Sequence, residues 1–244
     1  MTKSELFGIP FDNGSLQEAT AKALGLITRK RAAYAVTPNP EIMMKLRDNP
    51  ALQKAVESAD LILPDGIGLV YASKIVGRPI YHRVPGIDFA SALMEKLAER
   101  QGSVYLLGAK PGVAEAAALK MQEACPGLRI AGTHHGYFSA GEEPRLLEQI
   151  QQAEPDLLLV CLGAPRQELW MARYAGRLTV GLMVGLGGAL DVYAGCVSRA
   201  PKIWRNLGFE WLYRLLRQPQ RLKRMKCLPA FLWAAVKERN RSRL

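Results

Sequence analysis

Apolar residues in this chain gather in short dense runs, and most runs are followed by a longer stretch in which apolar positions return with helical spacing. The runs fall at residues 33–37, 61–63, 104–107, 129–133, 157–162 and 180–185. Helical patterns occupy 40–58 (opened by Asn39), 87–101, 112–125 and 144–152. Strand and helix in alternation is the signature of βαβ units, whose strands lie parallel because each returns across the sheet through a helix. Leu157, Leu158, Leu159, Val160 and Cys161 are apolar at every position, as a central strand covered on both faces requires. The pattern predicts an α/β fold: a mostly parallel, Rossmann-like sheet with helices on both faces, followed by a C-terminal helical amphipathic appendage.

Five of the predicted strands end in polar or glycine-rich turns: Thr37-Pro38-Asn39-Pro40, Pro64-Asp65-Gly66, Gly108-Ala109-Lys110-Pro111-Gly112, Gly163-Ala164-Pro165-Arg166-Gln167-Glu168 and Gly185-Leu186-Gly187-Gly188-Ala189. In an open α/β sheet such turns collect at the carboxyl edge, where ligands bind. None is a dinucleotide fingerprint, and none ends in Gly-Lys-Ser/Thr, which argues against a dehydrogenase or a phosphate-loop ATPase. Gly108, Gly163 and Gly187 either admit a diphosphate to backbone N–H groups or simply allow left-handed turns.

Asp65 follows an apolar strand and precedes a glycine, which puts a carboxylate on a turn facing the cleft. There it can serve as a general base, or it can cap the next helix. Thr37 and Asn39, held between prolines, offer a hydroxyl and an amide to a sugar or phosphate, with helix capping the alternative for Asn39. Arg83 is a cation in a turn. Gln167, Glu168 and Asp191 sit where they could meet ribose or base hydroxyls. There is no Asp-x-Asp, and His82, His134 and His135 form no i, i+4 pair, so the expected chemistry is independent of metal and of any other cofactor.

Charge divides the chain. Residues 1–195 hold 20 Lys+Arg and 20 Asp+Glu, whereas residues 196–244 hold 13 Lys+Arg against Glu210 and Glu238, so the whole net charge of +11 lies in the last fifth. Two units are expected: an α/β catalytic domain over 1–195 and a basic amphipathic appendage over 196–244. On a helical wheel Arg214, Arg217, Arg221 and Arg224 share one side, and Trp204, Leu207, Trp211, Leu215, Leu222 and Met225 another, with Pro219 bending the helix. An ordinary surface helix can carry such an aromatic stripe. Four arginines beside it point to an anionic partner, either a membrane interface or a nucleic acid. The longest apolar stretch, 178–190, is shorter than the roughly 20 residues a bilayer span needs, so membrane contact is expected to be peripheral. The N-terminus has no signal-peptide pattern, and the cysteines, Cys125, Cys161, Cys196 and Cys227, are scattered without a C-x-x-C, as in a reduced, cytoplasmic protein.

Thr37-Pro38-Asn39-Pro40-Glu41, Leu63-Pro64-Asp65-Gly66, Arg83-Val84-Pro85-Gly86-Ile87-Asp88, Gly163-Ala164-Pro165-Arg166-Gln167-Glu168, Gly187-Gly188-Ala189-Leu190-Asp191 and the stretch from Arg199-Ala200-Pro201 to Leu215 together resemble the WecG/TagA/CpsF family of bacterial glycosyltransferases. The resemblance covers nearly the whole chain and is strongest to the branch that builds the linkage unit of wall teichoic acid. It implies inverting transfer of N-acetylmannosamine from UDP-N-acetylmannosamine to undecaprenyl-diphosphate-linked GlcNAc, forming a β-1,4 bond at the inner face of the cell membrane. On this resemblance Asp65 is the general base, and Thr37, Asn39, Arg83 and Gln167 line its pocket. Tyr137, Gly163, Arg166, Gly187, Gly188 and Asp191 fall to the nucleotide. Arg214, Arg217, Arg221 and Arg224, with Trp204 and Trp211, fall to the lipid diphosphate and an anionic membrane surface. The family often has an acid where this chain has Gln218. Two rival readings stand beside it: another UDP-sugar donor, or a non-catalytic RNA-binding protein. The neutral charge of residues 1–195 weighs against nucleic acid as the partner. A tail detached from the body would expose Trp204 and Trp211, so a homo-oligomer is expected away from the membrane.

Overall fold

The structure, a computed structural model, describes residues 1–29, 32–206, 208–217 and 227–241. The chain opens with an antiparallel hairpin, β1 (Thr2–Leu6) and β2 (Ile9–Asn13), and helix α1 (Leu16–Thr28). There follow β3 (Ala33–Val36), α2 (Pro40–Leu46), α3 (Pro50–Glu57), β4 (Leu61–Ile62), α4 (Ile67–Val76), α5 (Gly86–Ala98) and β5 (Ser103–Gly108). Next come α6 (Val113–Ala124), β6 (Arg129–His134), α7 (Glu143–Ala153), β7 (Leu157–Cys161), α8 (Arg166–Tyr174), β8 (Leu182–Gly185) and α9 (Ala189–Tyr193). Among the described residues the further helices are α10 (Lys202–Asn206), α11 (Glu210–Arg217) and α12 (Cys227–Arg241).

Strands β3 to β8 form one sheet in the order β4-β3-β8-β7-β5-β6, and every pairing is parallel. Side chains alternate across a strand, so β3, β4, β5, β7 and β8 each feed two cores, whereas the edge strand β6 is only partly buried. Tyr34, Val36, Tyr105, Leu107, Leu158, Val160 and Met183 enter one core, and Ala33, Ala35, Val104, Leu106, Leu157, Leu159, Leu182 and Val184 the other. Both faces are covered by helices, which is why these strands are apolar throughout.

Helix 40–58, expected as one, is two. Pro50 lacks an N–H and disfavours helical backbone at Asn49, which instead caps α3 by accepting the Leu52 N–H at 3.0 Å. The hairpin was not anticipated. It is fastened by Asp12, whose buried carboxylate takes Lys3 and Lys22 at 2.7 Å each and the Ile62 N–H at 2.9 Å, tying β2 to the strand that leads to Asp65.

The C-terminal region also differs from a single amphipathic helix. Gly208, at φ +76°, separates α10 from α11, so Trp204 and Trp211 do not share one helical stripe. Leu207, Arg221, Leu222, Arg224 and Met225 lie outside the described residues. Helix α12 packs on α2 and α4, with Phe231 (1% exposed) and Ala235 (0%) inside the core and Phe231 edge-on to Phe7 at 5.4 Å. The abrupt change of charge near residue 195 is therefore not matched by a gap in packing.

Candidate active site

The turns after β3, β4 and β8 meet at the carboxyl edge of the sheet and border a cleft of about 510 Å³. The loop that enters α5 and two C-terminal segments complete it. Backbone hydrogen bonds sew the turns together: Leu63 N–H to Val36 C=O at 2.9 Å, Asp65 N–H to Pro38 C=O at 3.0 Å and Val84 N–H to Pro64 C=O at 2.9 Å. Gly66 adopts φ +110°, which β-carbon-bearing residues avoid. A β-carbon on Gly68 would come within 2.8 Å of Pro40 and 2.9 Å of Leu228, so this glycine lets α2, α4 and α12 close around the cleft.

Thr37, Asn39, Asp65, Arg83, Gly188, Asp191 and Trp211 all border this space, although they come from positions 37 to 211 in the chain. The Thr37 hydroxyl donates to Gly185 C=O at 2.9 Å, bracing the end of β3 against that of β8. Asn39 caps α2, its Oδ1 accepting the Ile42 N–H at 3.0 Å, and the residue also borders the cleft. Asp65 and Arg83 are half-buried at the rim. Helix α5 presents its N-terminus here with no side-chain cap, a source of N–H donors for an anionic ligand.

The remaining sequence candidates lie elsewhere. Gln167 is buried (3% exposed) behind the wall, where its Oε1 accepts the Gly187 N–H at 2.8 Å and its Nε2 donates to Glu168 at 2.8 Å. Gly187 itself lies in the β8–α9 turn at φ +55°. Arg166 donates to Gly136 C=O at 2.7 Å and stacks over Phe138 at 4.5 Å, so its guanidinium braces the loop carrying the exposed Tyr137. Gly163 turns the chain between β7 and α8. These three residues gather at the ends of β6 and β7, apart from the residues bordering the cleft. Trp204 rests 5.9 Å from Tyr213, and Arg217 lies 5.7 Å over the same ring. Arg214 falls on α11, and Arg221 and Arg224 are outside the described residues.

Several residues that border or support the cleft had no role in the sequence reading. Glu41, Glu210, Cys227 and Leu228 border it. Arg199 pairs with Asp88 in the first turn of α5 at 2.7 Å. Burial works against the Arg199 charge, but the hydrogen bond and attraction of Asp88 outweigh it and hold the guanidinium above its ordinary pKa. Glu210 had one visible signal, being an acid in a strongly basic segment. Burial pushes the Glu168 carboxyl above the usual carboxylate range, against the opposing hydrogen bond from Gln167. Glu41, Asp65, Asp191 and Glu210 face a single cation, Arg83, among the described residues bordering the cleft. An anionic ligand here needs positive charge from outside that set.

The chain matches the glycosyl transferase WecG/TagA/CpsF family over residues 4–244. It is 35% identical over 216 residues, 88% of this chain and 83% of the relative, to the N-acetylglucosaminyldiphosphoundecaprenol N-acetyl-beta-D-mannosaminyltransferase of Bacillus spizizenii. It is 32% identical over 241 residues, 98% of this chain and 94% of the relative, to the protein of the same name from Staphylococcus aureus. The chain belongs to the WecG/TagA/CpsF family of glycosyltransferases.

Proposed function

We propose that this member of the WecG/TagA/CpsF family transfers N-acetylmannosamine to GlcNAc carried on undecaprenyl diphosphate, the reaction named for its relatives in Bacillus spizizenii and Staphylococcus aureus. The observation that carries the reading is the convergence of Thr37, Asn39, Asp65 and Arg83 on one cleft at the carboxyl edge of the sheet. The donor is the UDP sugar, and the product is a β-1,4 link made with inversion, in wall teichoic acid or a related surface polymer.

In this reading Asp65 takes the proton from the acceptor 4-hydroxyl as that oxygen attacks the anomeric carbon from the face opposite the leaving group. The new C–O bond forms while the bond to UDP breaks, and UDP departs with the electron pair. A correctly placed base contributes about 100- to 10,000-fold. The departing diphosphate gains charge beside four acids and Arg83, so stabilisation must come from further donors. The α5 N-terminus and the tail cations Arg214, Arg221 and Arg224 supply them, and no metal ion is required.

The acceptor is anchored in a membrane, and the protein meets it from the surface. Among the described residues no helix is long and apolar enough to cross a bilayer. Each Lys or Arg near anionic lipid contributes about 1 kcal/mol, and the last fifth of the chain carries 13. The test is a panel of UDP sugars offered with a lipid-diphosphate GlcNAc acceptor, with and without EDTA, followed by product mass and linkage. The expected result is a β-1,4 N-acetylmannosaminyl product from one donor, undiminished by chelation. A product from a different sugar would overturn the donor assignment, and loss with EDTA reversed by Mg²⁺ would overturn the metal-free one.

A further inference from the structure

Behind the cleft wall a buried carboxyl is linked to the cleft through two hydrogen bonds. Glu168 is 1% exposed, and its Oε2 is buried without a hydrogen-bond partner. Its other oxygen accepts Gln167 Nε2 at 2.8 Å. A primary amide can present either its oxygen or its nitrogen to a neighbour, and only the oxygen can take an N–H. With Nε2 committed to Glu168, Gln167 Oε1 faces the Gly187 N–H and holds it at 2.8 Å. Gly187 lies between Leu186 and Gly188, both of which border the cleft, and it opens the turn into α9, which carries Asp191.

We propose that Glu168 is a positioning residue: its carboxyl fixes the orientation of the Gln167 amide, and through it the β8–α9 turn that forms one wall of the cleft.

The surroundings favour this role over a structural one. A buried carboxyl with one oxygen unpartnered is a poor way to stabilise a fold, because the free oxygen has lost its hydration without gaining a hydrogen bond. An apolar side chain of similar size would remove that oxygen but leave the buried Gln167 Nε2 without its acceptor, so the carboxyl matters chiefly to the amide it holds. The neighbouring Gly185 leaves little freedom for the amide, since a β-carbon there would stand 3.0 Å from Gln167 Nε2. The amide is therefore confined in position by β8 and in orientation by Glu168. The wall itself is held at three points: Thr37 to Gly185 C=O, Leu186 N–H to Val160 C=O at 3.0 Å, and Gly187 N–H to Gln167. The third depends on which way the amide faces.

The consequence for turnover rests on the transferase reading above, whereas the consequence for the Gly187 amide does not. The experiment therefore measures both on the full chain: steady-state transfer with UDP-N-acetylmannosamine and a lipid-diphosphate GlcNAc acceptor, and hydrogen exchange of the peptide containing Gly187. Glu168→Leu removes the acceptor for Gln167 Nε2. Its kcat is expected to fall about 10- to 100-fold with donor KM within about threefold, because misplacing a cleft wall by an ångström costs on that order. Exchange at Gly187 should rise, while Tm changes little, because losing the unpaired oxygen offsets leaving Gln167 Nε2 without its acceptor. Glu168→Gln offers a neutral carbonyl acceptor and should restore both turnover and protection. Should the leucine variant fail to fold, Glu168→Met takes its place. Wild-type kcat in the folded apolar variant overturns the proposal, as does Glu168→Gln falling as far as Glu168→Leu. If wild-type protein does not turn over this substrate pair, the transferase reading fails alone. Unchanged Gly187 exchange in the apolar variant then decides against the positioning role independently.

Discussion

On one side of the cleft are strand-end turns that brace one another through backbone hydrogen bonds and the Thr37 hydroxyl. The rest of its border includes Gly208, Glu210, Trp211, Cys227 and Leu228, from a segment that carries the entire net charge of the chain. The first wall is part of the sheet and offers Asp65 within a mostly acidic rim. The second brings apolar surface, in a stretch of sequence that also carries the arginines proposed to meet the diphosphate. On the proposed function, binding chemistry and reacting chemistry would be divided between the sheet edge and the C-terminal segments. Those segments are secured at both ends, by the Arg199–Asp88 pair at 2.7 Å before them and by Phe231 in the core after them.

The largest effect should come from loosening that second fastening. Phe231 is 1% exposed and meets Phe7, so Phe231→Ala should cost about 3–5 kcal/mol of stability, read as a lowered Tm or denaturation midpoint. A shift below about 1 kcal/mol would mean that α12 is a peripheral attachment and that charge and packing boundaries coincide after all. Asp65→Asn addresses the first wall. Turnover should drop about 100-fold, equivalent to about 2.7 kcal/mol, with UDP binding close to wild type. Normal turnover in the Asn variant would exclude Asp65 from the proton transfer.

Arg214, Arg221 and Arg224 changed together to Gln should lower turnover about tenfold or more on a short water-soluble acceptor, the scale of losing charge-assisted contacts to a diphosphate. Vesicle co-sedimentation should persist in part, because other basic and aromatic residues of the tail remain. Equal turnover of the short acceptor by both proteins would reduce these arginines to an anchoring role.

The two walls were not equally legible. The parallel strands could be read from the chain: β3, β4, β5, β7 and β8 are buried on both faces and so largely apolar at successive positions, while the edge strand β6 is only partly buried. Thr37, Asn39 and Asp65 were legible for the same reason: they directly follow such strands, and the carboxyl edge fixes where they go. Gln167 follows a strand too, yet it turns inward to Gly187, and direction within a turn depends on contacts that spacing does not encode. Nothing in the spacing marks Asp12, yet partners from β1, α1 and β4 make it a buried anchor. Leu228 reaches the cleft from the last helix, and the only local hint is Gly68, whose missing side chain admits it. Charge gave the clearest division of the sequence and the least reliable guide to packing, because net charge concerns surface and partners while Phe231 and Ala235 answer to the core.

The smallest effect concerns the titration of Glu168 behind the first wall. Burial raises its pKa, opposed first by the Gln167 hydrogen bond and then by its own backbone N–H and Lys45, whose ammonium is itself paired with Glu41 at 2.8 Å. The folded protein therefore keeps a proton that the unfolded chain has already released. Stability falls as pH rises from the ordinary glutamate range through the raised folded value, and this contribution levels off above it. Glu168→Gln cannot titrate, so the wild-type minus variant difference in Tm, followed from pH 4 to pH 8 at constant ionic strength, isolates this group from the other carboxylates. The difference should move against the wild type as pH rises. A pH-independent difference would mean that Glu168 titrates alike in both states, with Oε2 solvated or paired, and would remove the neutral buried acid from the account of the wall.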